Sequence, residues 1–112
     1  MTQEKKMTPI DFVKSENTTH QVVVWSKSYC PYCQQTKKLF KSIEGVNMVV
    51  HELDQMEDGY RYQQALFQLT GQRSVPNVFV RGVHVGGNDD TQKANQVGIL
   101  RDLLFMGAPE SM

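Results

Sequence analysis

Short apolar runs alternate with longer amphipathic stretches along the chain, and this pattern predicts the elements of the fold. Residues 21–26 contain a continuous β-branched run of valines, which is typical of a strand buried on both faces at the centre of a sheet. Residues 47–53 predict a second strand. Residues 78–81 and 83–85, separated by Gly82, predict a hairpin.

Helical signals lie between and around these strands. Thr8 can cap a helix that begins at Pro9, and Asp11 completes a capping-box pattern. Three further helices are predicted over residues 34–44, 60–69 and 91–106, the first two ending at Gly45 and Gly71, while Gly98 is a mild interruption of the last. The positions expected to face inward are Ile10, Phe12, Val13, Leu39, Phe40, Ile43, Ala65, Leu66, Leu69, Val97, Leu100, Leu103 and Leu104.

The resulting order is α-β-α-β-α-β-β-α, an α/β arrangement. A strand, a helix and a second strand in succession predict a parallel pair with a right-handed crossover. We therefore expect a four-stranded mixed sheet flanked by helices on both faces. The chain is expected to be a single domain over residues 1–112, with a core over about 8–106 and loose tails at 1–7 and 107–112.

Composition narrows the class of protein. The chain has 112 residues, of which 39% are hydrophobic, and its formal net charge is zero. This length leaves no room for a second sizeable domain, and the apolar content argues against extensive disorder. Zero net charge gives no reason to expect binding to nucleic acid or to an anionic membrane. No apolar run approaches a membrane span and no export signal is present, so we expect a cytoplasmic protein.

The candidate chemistry lies in Cys30-Pro31-Tyr32-Cys33, where a buried strand gives way to a helix. A C-x-x-C motif beside a βαβ pattern indicates a redox pair. Free N–H groups at a helix N-terminus stabilise a thiolate, which is the nucleophile in disulfide exchange. Cys33 lies one turn further in and is expected to be less exposed. We therefore predict that Cys30 attacks and that Cys33 resolves.

Positive charge surrounds this motif, since no acidic residue occurs between positions 17 and 43. Lys27 precedes the motif and lies close to the predicted nucleophile. Lys37, Lys38 and Lys41 lie further along the helix, where cations suit the helix dipole. We interpret these last three as a solvated face.

Other uses of two cysteines are less consistent with the sequence. A zinc site needs four ligands, but there is no second C-x-x-C, and His20, His51 and His84 are dispersed along the chain. Inert buried cysteines are unexpected at a loop-to-helix corner. A structural disulfide over so short a loop would stabilise the fold little. We predict no metal site.

Three segments resemble the signatures of dithiol glutaredoxins. They are Lys27-Ser28-Tyr29-Cys30-Pro31-Tyr32-Cys33, Gly71-Gln72-Arg73-Ser74-Val75-Pro76-Asn77-Val78 and Gly86-Gly87-Asn88-Asp89-Asp90. Their order and spacing are far more specific than a lone C-x-x-C. The Trp-Cys-Gly-Pro-Cys motif of thioredoxins is absent. The resemblance implies a thioredoxin-like fold with glutathione as co-substrate and no tightly bound cofactor.

The same resemblance implies a glutathione-binding groove. It implies a cis bond before Pro76, with the N–H and C=O of Val75 free to pair with the tripeptide as an added strand does. Lys27, with Gln72 and Arg73, would receive the glycine carboxylate. The remaining expected contacts are Gly87, which allows close approach, Tyr32, which packs on the tripeptide, and Asn88 and Asp89, which hold the γ-glutamyl end.

The activity implied is reduction of protein–glutathione mixed disulfides through Cys30, and of protein disulfides through Cys30 and Cys33 together. Glutathione and disulfide-bearing client proteins are the expected partners, and a monomer is expected. One alternative is a dimer that bridges a glutathione-ligated [2Fe–2S] cluster, which Pro31 after the first cysteine disfavours in this family. Another is a thioredoxin-like protein reduced by a flavoprotein.

Overall fold

A computed structural model describes residues 7–105, which form a four-stranded mixed sheet with helices on both faces. The strand order is β2-β1-β3-β4. The elements are α1 (Pro9–Thr19), β1 (Val22–Ser26), α2 (Pro31–Lys41), β2 (Met48–Glu52), a 3₁₀ turn (Leu53–Gln55), α3 (Gly59–Thr70), β3 (Asn77–Val80), β4 (Val83–Gly86), α4 (Asn88–Gln96) and α5 (Ile99–Phe105). The predicted fold class is confirmed.

The first strand occupies the centre of the sheet, as its valine-rich pattern predicts. All residues of β1 are buried. It pairs in parallel with β2 and antiparallel with β3, and β3 and β4 form the predicted hairpin. Because β1 ends where α2 begins, this central strand fixes the position of the cysteine motif.

The sheet separates two apolar cores. Trp25 lies in the core under α1 and α3, and its indole N–H donates to Asn17 Oδ1 over 2.8 Å. Phe40 of α2 lies in the core on the opposite face, together with Leu100 and Leu104 of α5. Helix α1 starts as predicted, since the Asp11 N–H donates to Thr8 Oγ1 over 3.1 Å.

The predicted last helix is wrong as a single element. Residues 91–106 were expected to be continuous, whereas α4 ends at Gln96 and α5 begins at Ile99. Gly98 has a φ of +88°, a left-handed conformation that ends a helix and that glycine adopts without steric cost. Val97, predicted to face the core, is therefore 58% exposed at this corner.

One further inward position and the start of α2 also differ from prediction. Leu69 is 38% exposed, because the last turn of α3 extends beyond the sheet-facing core residues Ala65 and Leu66. Helix α2 begins at Pro31 rather than Gln34, because Cys30 caps it.

The predicted tails, apart from Met7, lie outside the described residues. No helix within residues 7–105 has the length and apolar character needed to cross a membrane.

Candidate active site

Cys30 is the N-cap residue of α2. Its backbone is extended, with φ −93° and ψ 117°, and Pro31 occupies the first helical position. The Cys33 N–H donates to Cys30 Sγ over 3.1 Å, so the sulfur takes the place of an ordinary capping oxygen. A sulfur in this position faces the free N–H groups and the positive end of the helix dipole.

Cys33 has a very different environment, since its exposure is 0% whereas Cys30 is half-buried. Burial, reinforced by the hydrogen bond with Cys30, raises the pKa of the Cys33 thiol from 9.0 to about 11. Hydrogen bonds from the Lys27 backbone and the Ser26 hydroxyl oppose this shift in part. Cys33 is therefore a protonated thiol at neutral pH.

The loop before Cys30 is held by Asp54, just after β2. The Ser28 N–H donates to Asp54 Oδ1 over 2.8 Å, and the Ser28 hydroxyl donates to Asp54 Oδ2. These two hydrogen bonds, with a smaller contribution from the Lys27 charge, lower the pKa of Asp54 below its ordinary value. The loop then closes on itself, because the Cys30 N–H donates to Lys27 O over 3.1 Å.

A groove of about 490 Å³ lies beside the cysteines. It contains every residue predicted to contact glutathione except Lys27 and Arg73, and it adds Ser74 and Asp90, which the sequence analysis did not select. The lining residues are Tyr32, Gln72, Ser74, Val75, Pro76, Gly87, Asn88, Asp89 and Asp90. The groove therefore brings the three signature segments together.

The peptide bond between Val75 and Pro76 is cis, as the resemblance implies. The Val75 carbonyl oxygen lies 3.8 Å from Cys30 Sγ. Within residues 7–105 the Val75 N–H has no hydrogen-bond acceptor. A donor and an acceptor of the main chain thus stand next to the reactive sulfur.

Gln72 supports the wall of the groove from within. Its Nε2 donates to Ser74 O over 3.0 Å and to Pro76 O over 2.9 Å, and its Oε1 lies 3.2 Å from His84 Nε2. Burial lowers the pKa of His84, against a weaker opposing effect of the Asp90 charge. The side-chain amide of Gln72 therefore already donates to two backbone carbonyls of the protein. The sequence analysis had instead expected it to bind the glycine carboxylate of glutathione.

The far end of the groove is the N-terminus of α4. Gly86 has a φ of +124°, and a Cβ at this position would collide with the Asp90 carboxylate. Gly87 is the N-cap residue, and its carbonyl oxygen accepts from the Thr91 N–H over 3.0 Å and from the Thr91 hydroxyl over 2.8 Å. The first-turn N–H groups of α4 remain available to an anion.

The Asn88 side chain lies at the back of the groove and connects α4 to α2. Its Oδ1 accepts from the Thr36 hydroxyl over 2.8 Å, and its Nδ2 donates to Gln35 Oε1 over 3.0 Å. Asn88 is 7% exposed. It can therefore offer a ligand its backbone N–H, whereas its side-chain amide is used within the protein.

Lys27 and Arg73 do not line the groove. The Arg73 guanidinium lies 4.1 Å from the centre of the Phe67 ring on α3, a cation–π contact that directs it to a different surface. Lys27 stands on the loop before Cys30, and its charge makes a small contribution to lowering the pKa of Asp54.

The interpretation of Lys37 as part of a solvated face is wrong. Lys37 is 9% exposed, and its Nζ lies 2.5 Å from Glu52 Oε2. It lies one turn after Cys33, on the helix face that packs on the sheet, so its side chain runs along the sheet to β2. Lys38 and Lys41 are exposed, as predicted.

Two of the dispersed histidines meet in the fold. His51 Nε2 and His20 Nε2 lie 2.8 Å and 3.3 Å from the same Glu16 oxygen. Even so, no group of three or more His, Cys, Asp or Glu side chains within residues 7–105 has an arrangement that could hold a metal ion.

Comparison with known proteins decides the family. A family model described as glutaredoxin matches residues 22–85, which span β1 to β4 and contain both cysteines. The chain belongs to the glutaredoxin family. Glutaredoxins are thiol–disulfide oxidoreductases with a thioredoxin-like fold, and the predicted family, fold and enzyme class are confirmed.

The similarity extends over most of the chain. Glutaredoxin-C4 of Arabidopsis thaliana is 49% identical over 94 residues, which are 84% of this chain and 69% of that protein. Glutaredoxin-C8 of Oryza sativa subsp. japonica is 49% identical over 102 residues, 90% of this chain and 75% of that protein. The crystal structure of a buckwheat glutaredoxin–glutathione complex aligns with a TM-score of 0.84 and 41% identity, covering 88% of each chain.

The sequence analysis did not select several polar residues that connect elements around the site of this glutaredoxin. Ser26 and Glu52 end two paired strands, and the parallel register places them side by side, where the Ser26 hydroxyl donates to Glu52 Oε1 over 2.7 Å. Asp90 belongs to the third signature segment, but it was not among the residues predicted to contact glutathione. A polar residue at the end of an otherwise apolar strand was the available signal for Ser26.

Proposed function

We propose that this glutaredoxin uses glutathione to reduce two classes of substrate. Protein–glutathione mixed disulfides are reduced through Cys30 alone, and protein disulfides through Cys30 and Cys33 together. In the first route the Cys30 thiolate attacks the glutathione sulfur and releases the protein thiol. A second glutathione then reduces the mixed disulfide on Cys30. In the second route Cys33 closes on Cys30 and releases the reduced client.

The contrast between the two sulfurs carries this proposal. Cys30 caps a helix and is half-buried beside the groove, whereas Cys33 is fully buried and its pKa is about 11. Only an accessible thiolate can begin an exchange reaction. Cys33 is kept back as a protonated thiol that acts after a mixed disulfide has formed next to it.

The groove supports glutathione as the co-substrate. An extended tripeptide can pair with the free N–H of Val75 as an added strand does. The N-terminus of α4 suits the α-carboxylate of the γ-glutamyl residue, and the carboxylates of Asp89 and Asp90 suit its ammonium group. The related buckwheat protein has been solved as a glutathione complex.

Replacing the resolving cysteine tests the two routes separately. We expect Cys33→Ser to keep most of the activity toward a glutathionylated peptide and to lose at least about tenfold in reduction of a protein disulfide. Both assays use glutathione with a coupled glutathione reductase, so that consumption of NADPH measures the rate of both reactions in the same way.

The matched control is Cys30→Ser, which is expected to abolish both activities. If Cys30→Ser retained either one, the assignment of the nucleophile would be wrong. If the wild type reduced neither substrate with glutathione but did so with a flavoprotein disulfide reductase, glutathione would not be its reductant.

The comparisons do not favour the alternative of a glutathione-ligated [2Fe–2S] dimer, and we do not propose it. Pro31 occupies the first position of α2, directly after Cys30.

A further inference from the structure

His84 does not line the groove, but it contacts a residue that does. It lies on β4, at the edge of the sheet, where it is the register partner of Phe79, and the centres of the two rings are 5.1 Å apart. Its Nε2 lies 3.2 Å from the Oε1 of Gln72, which follows the end of α3. The contact between His84 and Gln72 therefore joins the edge of the sheet to the wall of the groove.

The direction of this hydrogen bond is set by the other contacts of Gln72. The Gln72 Nε2 lies 3.0 Å from Ser74 O and 2.9 Å from Pro76 O, and an amide must face two carbonyl oxygens with its NH₂ group. The Oε1 atom on the other side of the amide can only accept, so His84 donates from Nε2. The imidazole thus fixes which way the Gln72 amide faces.

The Gln72 amide in turn fixes the segment next to the reactive sulfur. Its two acceptors are the carbonyls of the residues on either side of Val75. Within residues 7–105 the Val75 N–H is left without an acceptor, and the Val75 oxygen lies 3.8 Å from Cys30 Sγ. A single side-chain amide therefore holds the stretch of backbone that presents both main-chain groups of Val75 beside Cys30.

The backbone of Gln72 is held independently of His84. Gly71 ends α3 in a left-handed conformation with a φ of +78°, and the Gln72 N–H donates to Thr70 Oγ1 over 3.0 Å. Loss of the His84 contact would therefore leave the backbone of Gln72 in place and would free only the orientation of its amide.

Building on glutathione as the co-substrate in the proposed function, we propose that His84 is a positioning residue for glutathione recognition. By donating to Gln72 Oε1, it keeps the amide turned toward its two carbonyls, and so keeps the main-chain groups of Val75 in place for the tripeptide. Gln72 then acts on glutathione through the protein backbone, and not as a ligand of the glycine carboxylate. The role concerns recognition of the tripeptide and not the reactivity of Cys30.

The packing of His84 on Phe79 gives a purely structural role a different prediction. If His84 served only to pack, a phenyl ring would replace the imidazole without loss and a flexible amide would not. The positioning role predicts the reverse. Glutamine carries an N–H donor the same number of bonds from the backbone as His84 Nε2, whereas phenylalanine carries none.

Two disulfides separate recognition from reactivity. Reduced protein is mixed with excess oxidised glutathione or with excess hydroxyethyl disulfide, which lacks the tripeptide, then quenched with acid and followed by intact-mass spectrometry. Loss of the reduced species reports attack by Cys30 on either disulfide. We expect His84→Phe to react about threefold to tenfold more slowly with oxidised glutathione, as for loss of one net hydrogen bond. Its rate with hydroxyethyl disulfide should stay close to that of the wild type.

Three further variants make the test specific. His84→Gln restores a donor and should react with oxidised glutathione at close to the wild-type rate. Val83→Thr, at an exposed neighbouring position of β4, should do so as well. Gln72→Leu should slow the reaction with oxidised glutathione alone. Adding His84→Phe to Gln72→Leu should change nothing more, because the two residues act through one contact.

The proposal would be overturned if His84→Phe slowed neither reaction or slowed both equally. A His84→Gln variant as slow as His84→Phe, or additive effects of His84→Phe and Gln72→Leu, would overturn it too. A wild type with no preference for oxidised glutathione, relative to a small free thiol reacting with the same two disulfides, would instead refute glutathione recognition itself.

Discussion

Asp54 shows how a single exposed residue sets up the reactive cysteine without contacting it. Its carboxylate holds both the N–H and the hydroxyl of Ser28, two residues before Cys30. The loop that ends in the capping sulfur is therefore held by the 3₁₀ turn that follows β2. Sequence reasoning could not select Asp54, because an aspartate in an acidic loop has no local feature that distinguishes it from its neighbours.

Replacing this carboxylate should weaken the fold in a pH-dependent way. The pKa of Asp54 is lowered by folding, so its contribution to stability is present above the ordinary value of 3.8 and is lost as the pH falls through the lowered value. We expect Asp54→Asn to have a lower melting temperature than the wild type at pH 7, with the difference shrinking at pH 3 and below. Thermal unfolding followed by circular dichroism measures this.

Glu57→Gln is the matched control, since Glu57 is also exposed in the same acidic stretch. It should unfold close to the wild type at every pH. A difference for Asp54→Asn that persists unchanged at pH 2 would show that the charge of Asp54 is not what holds Ser28.

The helices and strands lie where the sequence predicts them when a capping residue or a run of apolar residues marks their position. The valine-rich β1, the Thr8 cap of α1 and the left-handed Gly71 after α3 are local signals, and the structure contains each of them. The break after α4 was missed because a single glycine in a helical pattern does not reveal its φ. Leu100 and Leu104 pack against the sheet, and this packing sets the direction of α5. The local sequence gives no signal for such a tertiary contact.

The break makes a quantitative prediction for Gly98. A Cβ at this position would have open space around it. The cost of an alanine would therefore come only from holding a residue with a side chain in the left-handed backbone conformation. We expect Gly98→Ala to lower the free energy of unfolding by about 1 kcal/mol, measured by urea denaturation. Gln96→Ala, at an exposed position of α4, should be close to neutral. A stabilised Gly98→Ala would mean that residues 88–105 prefer one continuous helix.

At the scale of the whole molecule, the two cores share one sheet. Trp25, the single tryptophan, lies in the core under α1 and α3, while Leu100 lies in the core on the opposite face. The strands between them are common to both. The candidate site could be predicted in outline because its three segments are contiguous motifs. The Lys37–Glu52–Ser26 chain could not, because it joins three elements through side chains.

Coupling of the cores can be measured with the natural fluorophore. Leu100→Ala should lower the free energy of unfolding by about 2–5 kcal/mol. The transitions followed by Trp25 fluorescence and by circular dichroism should shift together, since a small two-state protein unfolds as one unit. Ile99→Ala, which is 54% exposed, is the control and should change little. Separate midpoints for the two probes would show that the faces unfold independently.

The position of the groove has a consequence for how a large client is handled. Its lining residues belong to the start of α2, the segment before β3 and the start of α4, so the groove lies at one end of the sheet, beside Cys30. A folded protein joined to Cys30 through a disulfide would therefore stand at the mouth of this groove, and a small thiol would have to reach the same sulfur past the surface of the client.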